Sequence, residues 1–128
     1  MIDTTPYESD DARRRVVVTI HGAFQTDDVL AVMARQRVED TWTFGILSDL
    51  RGVAGHPTVA DLWRIMRQAV PRAQGEARRG PVALLATEPI LYSRLCAYTA
   101  LGRSTTLTIE VFRDWDEAEQ WLTAKLRG

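Results

Sequence analysis

The chain has 128 residues, 45 % hydrophobic and 26 % charged, a balance that suits one globular domain over residues 1–128 and excludes a disordered chain. A net charge of −1 gives no field that would hold nucleic acid, and a single cysteine, Cys96, excludes an internal disulfide framework or a thiolate zinc cluster. Residues 1–11 are polar and acidic with no apolar leader core, and no apolar run is long enough to span a membrane, so a cytoplasmic protein is expected.

In chain order, Ile2 to Tyr7 reads as an edge strand, where Pro6 is tolerable, with a turn at Asp10–Asp11. Arg15 to Ile20 is a β-branched run typical of a buried strand. Thr26 is placed to cap a helix that carries Asp27 and Asp28 in its first turn and Leu30, Met33, Ala34 and Val38 at helical spacing. Trp42 to Leu47 reads as a second buried strand ending near Asp49, and Arg51 to Pro57, with two glycines and a proline, as a loop. Thr58 and Asp61 have capping-box spacing ahead of the stripe Leu62, Ile65, Met66, Ala69 and Val70, and Pro71 ends or kinks that helix. Val82 to Ala86 is a fully apolar, central strand. Glu88 and Pro89 open a third helix with Gly102 as its stop. Thr105 to Phe112 alternates as an edge or half-exposed strand, and Asp114 and Glu117 open a last helix with Ala118, Trp121, Leu122 and Leu126 inward. The fold class this predicts is α/β, a small, mostly parallel sheet of four to five strands with helices packed on it.

Sites in such sheets gather at the carboxyl ends of the strands, which selects His21–Gly22, Asp49 to Thr58, Thr87–Glu88 and Arg113–Asp114. No nucleophile elbow, phosphate loop, dinucleotide fingerprint or paired-histidine metal helix is present, so no enzyme activity, metal or cofactor is expected. His21, His56 and Asp49 are the one set that can be imagined as a metal or acid–base site; ordinary loop histidines are the simpler reading. Cys96, among apolar helical residues, reads as inert and buried. The cations are all arginine except Lys125, and their scatter reads as compositional bias rather than a phosphate site. Trp42 and Trp121 read as packing residues, and Trp115 as a cover on the N-terminus of the last helix. Trp63 lies at the flank of its helix stripe beside Arg64 and Arg67, where packing, an interface anchor and a ligand-pocket wall are all open.

The stretch Ile46-Leu47-Ser48-Asp49-Leu50-Arg51-Gly52-Val53, followed by Pro57-Thr58 and an amphipathic helix, resembles STAS domains (sulfate transporter and anti-sigma-factor antagonist). The ending Val111-Phe112-Arg113-Asp114, then Glu117-Ala118 and Trp121-Leu122, is similar to the SpoIIAA-like subfamily of bacterial STAS-like proteins. The resemblance covers about Val16 to Leu126 and implies a small sheet with packed helices and no catalysis. In anti-sigma antagonists an Asp-Ser pair opens the helix after this loop and a partner kinase phosphorylates the serine. By position Thr58 matches that serine, Pro57 stands in place of the acid, and Val59 and Asp61 occupy the stretch where small residues normally follow. The subfamily is also similar in fold to CRAL-TRIO lipid-transfer domains, which implies room for an apolar ligand.

Two functions follow as expectations. One is a regulatory module that binds an unknown protein partner through Asp49, Arg51, Thr58, Trp63, Arg64 and Arg67, with Arg72 on the same basic face. The other is a lipid or small apolar ligand domain with a pocket lined by Phe24, Trp63 and Tyr92. Exposed sheet edges near the N-terminus and at Thr105 to Phe112 make a monomer or weak homodimer the expected assembly.

Overall fold

Five strands form one sheet in the order β1-β2-β3-β4-β5. A computed structural model describes residues 6–70, 77–103 and 105–127; the expected strand residues Ile2 to Thr5, and Pro71 and Arg72, lie outside them. The elements are β1 (Tyr7–Asp10), β2 (Arg15–Ala23), α1 (Thr26–Val38), β3 (Gly45–Ala54), α2 (Val59–Ala69), β4 (Val82–Leu85), α3 (Pro89–Gly102), β5 (Ile109–Phe112) and α4 (Trp115–Arg127). β1 pairs antiparallel with β2, and every later pairing is parallel.

Winding always in one direction puts α1, α2 and α3 on one face of the sheet, and α4 closes the other. The side-chain alternation of the strands sorts the core accordingly. Val16, Val18, Ile20, Ile46, Leu50, Val82, Leu84, Ile109 and Val111 pack under the first three helices. Leu47, Ala83 and Leu85 face Ala118 and Leu122 of α4. With both faces covered, β4 is apolar at every position, as central parallel strands require. Gly45 lets α4 approach, because a Cβ there would stand 2.9 Å from Leu122 Cδ1.

Several boundaries differ from the sequence reading, beginning with β1, which stays in the sheet through Asp10 where a turn was expected, because it pairs with β2 as far as Arg15. Gln25, not Thr26, occupies the N-cap of α1, and it makes no side-chain cap bond. β3 begins at Gly45, and Trp42 sits in a turn with its Nε1 donating to the Ala77 carbonyl at 3.0 Å. β3 then continues through the expected loop as far as Ala54, because β2 runs beside it to Ala23 after an irregularity between Thr19 and His21. β4 stops pairing at Asp49, so the last residues of β2 and β3 project past the sheet as a two-stranded ribbon. β5 begins only at Ile109, since the Thr105 hydroxyl is engaged in a local turn, donating to the Gly102 carbonyl at 2.6 Å and accepting from Leu107 N at 3.1 Å.

Candidate functional site

The longer β3 changes the setting of its acid. Asp49 lies inside the strand opposite Thr19 and Leu85, not in a loop. Two residues on, and therefore on the same face, Arg51 donates from Nε and Nη2 to the two carboxylate oxygens, 2.9 Å each. The hydrogen bonds from Arg51 hold the Asp49 carboxyl below the usual range against the opposing effect of partial burial. Arg51 also lies 5.6 Å from the Trp115 ring, so it bridges the ribbon to the start of α4.

After the ribbon, Gly55 turns the chain in a left-handed conformation at φ 81°. His56 Nε2 then lies 2.7 Å from Glu88 Oε1. Glu88 caps α3 by accepting from Ile90 N and Leu91 N, and these bonds, with a smaller contribution from His56, lower its pKa. Arg94 Nη1 donates to the Pro57 carbonyl at 2.6 Å, a second tie from α3 to the turn. Thr58 and Asp61 close a complete capping box: the Thr58 hydroxyl accepts from Asp61 N at 3.1 Å and the Asp61 carboxylate accepts from Thr58 N at 2.9 Å. His21, His56 and Asp49 are not brought together. Each of the last two has its own partner, and among the described residues no group of three or more histidine, cysteine or acidic side chains can hold a metal.

α2 has two different faces. Leu62, Ile65, Met66 and Ala69 are buried, whereas Trp63 is 45 % exposed. Arg64 and Arg67 are exposed beside it. Arg64 Nη2 meets Asp27 Oδ1 of α1 at 3.0 Å, an exposed pair worth at most about 1 kcal/mol and easily exchanged for another acid.

Beneath α1, α2 and α3 lies a cavity of about 70 Å³ against the sheet. Phe24 lines it, but Trp63 and Tyr92 do not. Tyr92 instead lies under the Arg113 guanidinium, 4.0 Å away, at the strand-end surface. The space is well below the roughly 300 Å³ at which drug-sized ligands begin to fit.

Two participants escaped the sequence reading: Arg94, which ties the turn to α3, and Arg79, which lines the cavity while only 6 % exposed. Helix-cap chemistry pointed to Glu88 as a cap but not to His56 as its partner. Nothing local marks Arg79, since its burial comes from segments distant in sequence.

No protein-family model and no curated protein matches the sequence. Among solved structures, the crystal structure of an anti-sigma factor antagonist from Mycobacterium paratuberculosis is similar to this chain, with a TM-score of 0.56 at 18 % identity over 93 % of this chain and 92 % of that one. The class defined by this architecture is the STAS-type α/β fold, a mostly parallel five-stranded sheet with four helices. Among the described residues no helix is long and apolar enough to cross a membrane.

Proposed function

We propose that this chain is a non-catalytic, cytoplasmic regulatory module of bacterial type that binds a protein partner through the β3–α2 turn and the outer face of α2. The observation that carries the reading is Trp63. A large aromatic that is nearly half exposed, on a helix whose apolar needs are met by four other residues, contributes little to the fold. Tryptophan and arginine side by side are the residue types that dominate protein interfaces. Arg64 and Arg67 provide cations beside Trp63, so the partner surface that fits is an apolar socket with an acidic rim. The similarity to an anti-sigma factor antagonist supports a regulatory role for the same fold.

Thr58 opens this helix, whereas Asp49, paired with Arg51 beside Trp115, belongs to the α4 side of the sheet. Thr58 serves the helix as its cap. A phosphate added there would face the Asp61 carboxylate across the capping box, an unfavourable like-charge contact, although the helix dipole favours an anion.

The test is position-dependent photocrosslinking. The chain carries a benzophenone side chain at Arg67 in one version and at Gln120 of α4 in another, each expressed in the organism that encodes it. One discrete adduct from position 67, removed by excess unlabelled protein and missing from position 120, is the expected result. Identical adducts from both positions would rule out the α2 face.

A further inference from the structure

The cavity under α1, α2 and α3 contains a charge that its apolar lining does not account for. Arg79 is 6 % exposed, and its Nη1 is buried with no hydrogen-bond partner. An unpaired guanidinium in such a place is strongly unfavourable, and native structures rarely leave one without a function. The Trp42 ring, 4.3 Å from the guanidinium carbon, offsets part of the cost. The same ring also meets the Arg37 guanidinium at 3.9 Å, so two cations share one indole. The titratable groups acting on Arg79 are Tyr98, Arg37 and Tyr7, and among the described residues no carboxylate pairs with it. Burial pushes its pKa down only to about 10, so it stays cationic at neutral pH.

Arg79 is also fixed in place. Trp42 Nε1 donates to the Ala77 carbonyl at 3.0 Å, and Gly80 N donates to the Trp42 carbonyl at 3.1 Å. A Cβ on Gly80 would run into the carbonyl oxygens of Thr43 and Phe44. The backbone of residues 77–80 is thereby clamped to the turn before β3, which sets where the Arg79 side chain enters the cavity. The cavity extends from Arg79 and Val82, at the start of β4, to Phe24, just past the end of β2. Ser48 and Tyr98 are the other polar residues on a wall otherwise made of aliphatic and aromatic side chains.

We infer that this cavity is a binding site for a short aliphatic monocarboxylate, its carboxylate on Arg79 and its tail along the inner face of the sheet toward Phe24. A single negative charge matches the buried Arg79 guanidinium, whose Nη1 lacks a hydrogen bond, while a phosphate would bring a second charge into an apolar wall. A volume of about 70 Å³ is roughly half of the ~150 Å³ that admits benzene, so the ligand must be smaller than benzene and its tail is limited to one or two carbons. The site lies on the inner side of α2 and does not depend on the partner reading of its outer side.

The whole chain is titrated with propionate, propan-1-ol and inorganic phosphate. Binding is followed by methyl resonances of Ile46, Leu84 and Leu95, by the Arg79 side-chain N–H resonance, and by thermal melting. Propionate is expected to shift these resonances saturably and raise the melting temperature, and propan-1-ol and phosphate to do neither. Arg79→Met is expected to weaken propionate binding by at least about tenfold, yet to melt at or above the wild-type temperature without ligand, because the orphan charge is gone. No saturable response of the wild-type protein to propionate would overturn the inference. So would an equal response to propan-1-ol or phosphate, undiminished binding by Arg79→Met, or a marked loss of ligand-free stability in that variant.

Discussion

Asp49 and Arg51 form a two-point ion pair within a single strand, each carboxylate oxygen 2.9 Å from a guanidinium nitrogen. The pair sits where the register of β3 against β2 shifts between Asp49 and Gly52, and there the Asp49 carboxylate also accepts from Arg51 N at 3.1 Å. The folded-state pKa of Asp49 lies below its ordinary value of 3.8. The pair's stabilisation is therefore complete above about pH 4 and is lost as pH falls through the lower folded value. Asp61 and Glu88 have lowered values as well and add to the same acid limb. Asp49→Asn is expected to cost less than about 1 kcal/mol at pH 7, since solvent screens the pair. It should also flatten, without abolishing, the decline in stability below pH 4. Urea melts from pH 2.5 to 7 check this; parallel curves for variant and wild type would contradict it.

The Thr58–Asp61 box makes a local prediction. Thr58→Ala removes the hydroxyl that accepts from Asp61 N and is expected to cost about 1 kcal/mol. Thr58→Ser should restore nearly all of it. Denaturant midpoints for the three proteins decide, and an alanine variant as stable as wild type would mean that the box does not form in solution.

Trp42 and Trp63 should separate cleanly. Trp42 is 5 % exposed and hydrogen-bonded through its indole, so Trp42→Ala is expected to cost about 3–5 kcal/mol. Trp63→Ala, at a site 45 % exposed, should cost less than about 1 kcal/mol. Comparable losses in the two variants would make Trp63 a packing residue and remove the main support for an interface on α2.

Two glycines differ in the same way. Gly55 has φ 81° and open space around its Cβ position, so Gly55→Ala incurs backbone strain alone, about 1–2 kcal/mol. A Cβ at Gly80 meets the backbone of Thr43 and Phe44, which cannot move without shifting the start of β3. Gly80→Ala is therefore expected to destabilise the protein well beyond Gly55→Ala. Thermal melts of both variants test the order.

The sequence was informative where structure is decided locally. The Thr58-x-x-Asp61 spacing marked the start of α2, and the unbroken apolar run from Val82 marked a central strand with both faces covered. The reading failed where a distant segment decides. Gly52 and Gly55 made residues 51–57 look like a loop, yet β2 supplies a ladder that keeps the chain extended to Ala54. Trp42 has strong strand propensity, but its indole is satisfied by the Ala77 carbonyl, which holds it in a turn. At the candidate site, the residues around Asp49 to Arg67 were visible from strand-end and helix-face patterns. His56 finding Glu88, and Arg79 lying buried with no carboxylate paired to it among the described residues, depend on chain crossings that no spacing reveals.

The most direct measurement is the affinity of the protein captured at position 67 for two double variants of this chain. Trp63→Ala with Arg64→Glu alters the outer face of α2. Gln120→Ala with Lys125→Glu makes the matching change in charge on exposed positions of α4. By isothermal titration, the α2 pair is expected to weaken binding by at least about a hundredfold, as loss of an aromatic–arginine anchor does. The α4 pair should leave binding within about twofold of wild type. Equal affinities for the two double variants, both folded, would place the partner surface elsewhere.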